Sequence, residues 1–157
     1  MRIFINGFGR IGRSVLRAAL LGGATDIEIA GINDIAAAEM CAYLFEFDSV
    51  FGVWHGDVRL QEGALVIDGR TIPLHRSPDI SGLELKGVDV VLECTGRADA
   101  REMATRGLRA GARAVLISGP SKAADLTVVL GANEAELRGQ KIVSNASCTT
   151  NALAPLV

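Results

Sequence analysis

The chain has 157 residues, 49% apolar, 22% charged and 4% aromatic, with a formal net charge of -2. The apolar share and low charge exclude a disordered chain, and the length allows one domain with a core of its own. No positive excess exists for a dedicated nucleic-acid binder, which needs basic residues along a track of phosphates.

The first apolar run, Ile3–Ile5, reads as a strand and starts too early for a signal peptide. A helix is predicted over Arg10–Leu21. Its apolar stripe is Ile11, Val15, Ala18 and Ala19, with Arg13 and Arg17 on another face, and Gly22-Gly23 stops it. A strand at Ile27–Ile32 and a helix at Ala36–Glu46 follow. From 57 to 74 the period changes. Val58/Leu60, Leu65/Ile67 and Ile72/Leu74 alternate with polar residues, and Glu62-Gly63 and Asp68-Gly69 supply turns, which predicts a small antiparallel meander. Val88–Leu92 is a strand. Ala98–Leu108 is a helix with Ala100, Met103, Ala104 and Leu108 inward and Arg101, Glu102, Arg106 and Arg109 outward. Strands at Ala114–Ile117, Leu126–Leu130 and Ile142–Val143 complete the series. Continuous β-branched runs alternating with helices predict an α/β fold, a doubly wound, mostly parallel sheet carrying the meander as an insertion. The longest uncharged run, Ile142–Val157, is 16 residues and carries Ser, Asn and Thr, so no membrane span is expected. The end, Ala152–Val157, is apolar without a polar tail, which points to a chain that continues.

Gly7-Phe8-Gly9-Arg10-Ile11-Gly12 is G-x-G-x-x-G between a strand and a helix, the context of a Rossmann-type dinucleotide loop. Gly7 permits the tight turn, Gly9 lets a pyrophosphate approach the backbone, and Gly12 lets the helix pack on the strand. The N–H groups near Arg10 and Ile11 then point at the phosphates. Asp34 lies 22 residues after Gly12, at the end of the second strand. It suits the adenosine ribose, favouring NAD over NADP; it also suits a cap on the next helix, and the two roles can coexist. Cys94-Thr95-Gly96 and Ser118-Gly119-Pro120-Ser121 end strands where a dinucleotide would run, although spacing alone reads equally well as ordinary loop chemistry. Arg76 reads from its loop as a surface arginine.

The three cysteines, Cys41, Cys94 and Cys148, are too few and too far apart for a disulfide framework or a zinc site, which fits a reducing, cytoplasmic setting. No metal site is expected. Ser144–Asn151 is the second concentration of chemistry. Ser147 is a natural N-cap and Cys148 the first helical residue, where the helix dipole favours a thiolate. The hydroxyls of Ser147, Thr149 and Thr150 suit an anion or oxyanion. His55 and His75, the two histidines, are far in sequence from Cys148, so no base for the thiol is evident.

Ile5–Arg13, Ile32-Asn33-Asp34, Phe47-Asp48-Ser49, Gly87–Val91, Cys94-Thr95-Gly96 and Ser144–Asn151 occur together in this order. In that combination the chain resembles phosphorylating glyceraldehyde-3-phosphate dehydrogenases along its whole length. The last motif is shared with their close relatives, the erythrose-4-phosphate dehydrogenases. The resemblance implies an NAD-binding domain over 1–147, with the insertion at 57–74, and the start of a catalytic domain at 148–157. It implies Cys148 as a nucleophile that forms a hemithioacetal with glyceraldehyde 3-phosphate. Hydride passes to nicotinamide, and inorganic phosphate releases the resulting thioester as an acyl phosphate, a step of glycolysis and gluconeogenesis. Ser147 and Thr149 match substrate or phosphate contacts. Arg10 and Ile11 match the pyrophosphate-binding backbone, Asp34 the ribose contact, and Arg76 and Ser118 further cofactor contacts. The family's activating histidine and nicotinamide-anchoring asparagine would lie past Val157, and the full-length protein would be a cytoplasmic homo-oligomer, a tetramer by resemblance. Ala98 stands where the family commonly has Phe, which implies a lost aromatic wall at the cofactor. Phe51 and Val53 replace the usual His and Arg, and Ala152 replaces a second Cys. Erythrose-4-phosphate dehydrogenase and a stand-alone dinucleotide-binding module remain as alternatives.

Overall fold

The computed structural model describes residues 1–22 and 26–157. In chain order the strands are β1 (Arg2–Asn6), β2 (Glu28–Asn33), β3 (Phe47–Asp48), β4 (Gly52–Val53), β5 (Val58–Gln61), β6 (Ala64–Ile67), β7 (Arg70–His75), β8 (Val90–Glu93), β9 (Ala114–Ile117), β10 (Leu126–Thr127) and β11 (Ile142–Ser144). The helices are α1 (Arg10–Leu21), α2 (Ala38–Glu46), α3 (Arg101–Ala104), α4 (Arg106–Arg109) and α5 (Cys148–Leu153). Nine strands form one sheet in the order β10-β11-β9-β8-β1-β2-β7-β6-β5. It is parallel from β10 to β7 and antiparallel from β7 to β5. The expected meander therefore forms with its expected turns, and its last strand pairs with β2, so it extends the main sheet.

β1 lies in the middle and is buried on both faces, which is why its residues are apolar without alternation. Phe4 packs into one core with Val91 and Val115, under α3 and α4. Ile5 packs into the other with Leu16, Ile32 and Phe45, under α1 and α2. The chain passes from β1 to β2 on one side and to β8 on the other, which opens a switch-point crevice at the carboxyl ends of these strands. No helix among the described residues is long and apolar enough to cross a membrane.

Three expectations change. The buried face of α1 is Gly12, Leu16 and Arg17, whereas Ile11 is 46% exposed and Ala18 is exposed. Arg17 goes inward because its guanidinium stacks on Phe45 and Trp54 and donates to the carbonyls of Phe45 and Glu46. The helix expected over Ala98–Leu108 is two short ones, α3 and α4, meeting at Thr105, whose hydroxyl donates to the carbonyls of Arg101 and Glu102. Ala104 is buried as expected, but Ala100 is exposed, and Gly107 also faces inward, where a Cβ would come within 2.9 Å of Val91. The strand expected over Leu126–Leu130 is cut to two residues, because Val129 instead accepts a loop hydrogen bond from the turn at Ala132 and Asn133. At the end of α1 the N–H of Gly22 closes on Ala18; Gly23, the other half of the expected stop, lies outside the described residues.

Candidate functional site

The glycine loop is built as its spacing demands. Gly7 has φ +94°, and a Cβ there would stand 2.7 Å from the backbone of Cys94 and Thr95. At Gly12 a Cβ would meet the Gly7 carbonyl at 2.1 Å. Gly9 is the N-cap of α1, supplies no capping side chain, and has nothing within 4 Å of a Cβ position. The first-turn N–H groups at Arg10 and Ile11 have no partner within the helix, and the approach past Gly9 is open, as an anion site at a helix N-terminus requires. The Arg10 side chain is committed elsewhere: its guanidinium holds both carboxylate oxygens of Asp48 at 3.0 Å. The N–H groups of Phe51 and Val50 also bond Asp48 and, with Arg10, bring its pKa down to about 2.

Asp34 does two jobs at once. One oxygen accepts from the N–H of Phe8 at 2.6 Å, inside the glycine loop, and the other accepts from the N–H of Ala36 at 2.8 Å, ahead of α2. Each oxygen keeps a free lone pair for a further donor. Asp34, Gly7 and Gly9 line a cavity of about 210 Å³ with Thr95, Arg97 and Arg106. Arg106, expected to face solvent, has a side chain only 19% exposed, 3.4 Å from Asp79, and it donates to the Pro78 carbonyl. Arg76 is exposed and donates to the carbonyl of Ile35, beside Asp34, but does not line this cavity. Gly96 follows Thr95 with φ +70°. Ala98 is buried in the core between sheet and helices rather than facing the cavity. The buried polar residues Asn6, Asn33 and Glu93 also line the cavity and have no role in the sequence reading. The signal that marks them is a polar side chain closing an otherwise apolar strand.

Ser147 caps α5 and Cys148 opens it, as read from the sequence. The Ser147 hydroxyl accepts from the N–H of Thr150 and shares hydrogen bonds with the hydroxyls of Thr149 and Thr150 at 3.0 and 2.7 Å. The turn before it is strained, with Ala146 at φ +57°. Asn151 holds this turn closed by donating to the carbonyls of Asn145 and Ser147 at 2.6 and 2.9 Å. The result is an exposed Cys148 thiol. It faces a cavity of about 450 Å³ lined also by Ile11, Val15, Cys94, Ser118 and Asn145. Ile11 and Val15, the stripe expected to be buried, thus form a cavity wall. Among the described residues, no His, Lys, Arg or carboxylate lines this cavity.

Cys94 lies on the walls of both cavities. Burial pushes its thiol up to about 11, against the pull of a hydrogen bond from Ser118. The two cavities thus lie side by side along the carboxyl edge of the sheet, one at Asp34 and the glycine loop and the other at Cys148, with Cys94 as the wall between them. A helix N-terminus at the glycine loop, a carboxylate at the end of the second strand and the switch-point position suit a dinucleotide.

A family model described as "Glyceraldehyde 3-phosphate dehydrogenase, NAD binding domain" matches residues 1–101. The chain is 46% identical over 158 residues to a glyceraldehyde-3-phosphate dehydrogenase of Bacteroides fragilis, covering 99% of this chain and 47% of that protein. The corresponding protein of Thermotoga maritima is 45% identical over 159 residues, with 99% and 48% covered. A cytosolic one of Trypanosoma brucei brucei is 47% identical over 158 residues, with 99% and 47% covered. The chain spans about half the length of the curated relatives it matches. With the loop, the carboxylate and the sheet edge all present, the chain belongs to the family of glyceraldehyde 3-phosphate dehydrogenase NAD-binding domains.

Proposed function

We propose that this chain is the cofactor-binding part of a phosphorylating glyceraldehyde-3-phosphate dehydrogenase, with residues 1–147 holding NAD and Cys148 beginning the catalytic part. The observation that supports this is the Cys94 wall shared by the two cavities, through which the Cys148 cavity adjoins the glycine-loop cavity. The backbone at Gly9, Arg10 and Ile11 would hold the pyrophosphate, Asp34 a ribose, and Thr95, Gly96 and Ser118 the groups beyond it, with Arg76 at the rim. When bound, NAD supplies an acceptor for hydride.

The chain's own chemistry is that of sulfur. The Cys148 thiolate adds to the aldehyde carbon to give a hemithioacetal, whose oxidation leaves a thioester. A thioester keeps the oxidation energy in a form phosphate can capture, since phosphate attacks the carbonyl and the thiolate leaves. Ser147 and Thr149, whose hydroxyls flank Cys148 in sequence, would contact substrate or phosphate. The base that takes the proton belongs to a second domain, as does most of the sugar-phosphate pocket. The whole protein would work in the cytoplasm, in glycolysis, as a homo-oligomer.

The test is an assay of the whole protein for NADH formation from glyceraldehyde 3-phosphate with and without inorganic phosphate. Phosphate-dependent turnover, abolished by Cys148→Ser, is expected. Turnover that ignores phosphate and prefers erythrose 4-phosphate would assign it to the sister enzyme. The 157-residue chain alone is expected to bind NAD and to show no aldehyde-dependent reduction, since the geometry and the base it lacks are each worth orders of magnitude.

A further inference from the structure

Glu93 closes β8, Asn6 closes β1 and Asn33 closes β2, and all three are about 5% exposed. Nothing in the proposed chemistry uses Glu93. Among the described residues, no Lys or Arg forms an ion pair with it. It is held by a chain of hydrogen bonds instead. The N–H of Ser77 donates to Asn33 Oδ1 at 2.8 Å. Asn33 Nδ2 donates to the Ser77 carbonyl at 3.0 Å and to Asn6 Oδ1 at 2.9 Å. Asn6 Nδ2 donates to Glu93 Oε2 at 2.6 Å. Glu93 Oε1 accepts from the N–H of Thr95 at 3.0 Å and from the Thr95 hydroxyl.

The direction of this chain is dictated at one end by a peptide. The Ser77 N–H can only donate and its carbonyl can only accept, so Asn33 has one orientation. Asn33 then presents an NH₂ group to Asn6. Asn6 must answer with its oxygen and turn its own NH₂ group toward position 93. From the opposite side the Thr95 amide donates as well. Position 93 therefore faces donors at both oxygens, and only a carboxylate satisfies them all. A glutamine there sets an NH₂ group against either Asn6 or Thr95, and no flip along the chain relieves the clash. A buried donor without a partner is costly, so the loops must shift to release it.

Those loops build the cavity. Asn6, Ser77 and Thr95 line it together with Gly7 and Asp34. We propose that Glu93 is a positioning residue for the dinucleotide: through Asn6, Asn33 and Ser77 it locks the segments after β1, β2, β7 and β8 into one binding-ready arrangement. This rests on the assignment of the cavity to NAD. With its oxygens so engaged, Glu93 acts through its neighbours, and the preformed loops spare the ligand the cost of ordering them.

The experiment is calorimetric titration of NAD into the 157-residue chain, its Glu93→Gln variant and the double variant Glu93→Gln/Asn6→Asp, each well below its unfolding temperature. The double variant exchanges acid and amide, so every donor again meets an acceptor. Glu93→Gln is expected to bind NAD about ten-fold or more weakly, and the double variant to return to within about three-fold of the unaltered chain. A purely structural role would lower the unfolding temperature and leave the affinity of folded protein unchanged. Equal affinity in Glu93→Gln overturns the proposal while leaving the cavity assignment intact; no NAD binding by the unaltered chain overturns both. Where Glu93→Gln fails to fold, a folded double variant with near-normal affinity supports the proposal. A double variant that binds as weakly as Glu93→Gln, or that fails to fold, overturns it.

Discussion

The carboxylate of Asp34 accepts a hydrogen bond from the backbone N–H of Phe8 at 2.6 Å, tying the end of β2 to the middle of the glycine loop. Its other oxygen holds the N–H of Ala36. One side chain thus shapes the glycine loop, starts the approach to α2 and lines the cavity proposed for NAD.

Asp34→Ala should therefore affect more than a ribose contact. Losing the charge-assisted bonds is expected to weaken NAD binding roughly 10- to 100-fold and to lower the unfolding temperature as well. The unaltered chain should bind NAD more tightly than NADP, since a 2′-phosphate would meet this carboxylate. Calorimetric titration with both cofactors checks both points, and NADP binding as tight as NAD would remove Asp34 from the ribose.

Arg17 is a buried cation held by neutral groups. Its guanidinium lies 5.3 Å from the Phe45 ring centroid and 5.6 Å from that of Trp54, and it donates to carbonyls at the end of α2. Arg17→Leu leaves the buried Phe45 carbonyl without its guanidinium donors, while the Glu46 carbonyl keeps the Trp54 N–H, and is expected to cost about 1–3 kcal/mol. Arg17→Lys should recover little, because an ammonium lacks the planar fork that serves both carbonyls. Urea unfolding midpoints measure both.

The three thiols should separate cleanly under alkylation. Cys148 is exposed, whereas burial pushes Cys41 and Cys94 each up to about 11. At about pH 8 the latter two hold roughly a thousandth of their population as thiolate. Iodoacetamide is expected to modify Cys148 first, with Cys41 and Cys94 reacting only after unfolding. Timed mass spectrometry reads the order, and early loss of Cys94 would show that the wall between the cavities opens.

Acid should unfold the chain over a defined window. Asp48, Asp79, Asp89 and Asp125 all have lowered pKa values, the first three chiefly through backbone N–H groups of Phe51, Ser81 and Arg2, and Asp125 through the Arg101 side chain. A lowered carboxylate stabilises the fold above its ordinary value of 3.8 and loses that contribution as the pH falls through its folded value, about 2 for Asp48. Urea midpoints should stay level, as far as these groups act, down to about pH 5 and fall steeply below about pH 4. Asp48→Asn should make that fall shallower, since one group no longer titrates.

Much of the site is local and so legible from short stretches of sequence. The strand–glycine–helix unit at 2–21, the turns at Glu62-Gly63 and Asp68-Gly69, and the Ser147 cap before Cys148 are each specified within a few residues by φ requirements, side-chain period and capping chemistry. The structure changes those readings only where burial depends on distant partners. Arg17 goes inward because Phe45, 28 residues away, offers a ring and a carbonyl. Arg106 turns toward the cavity because the Pro78 carbonyl accepts its hydrogen bond and the Asp79 carboxylate pairs with its charge, across 28 and 27 residues. The join of β7 to β2 and the wall that Cys94 shares between two cavities likewise depend on how the strands pair. The Ser77–Asn33–Asn6–Glu93 chain spans separations of 44, 27 and 87 residues. No periodicity records such a chain, because each hydrogen bond exists only after the sheet has brought four strand ends together and excluded the water that would otherwise satisfy them.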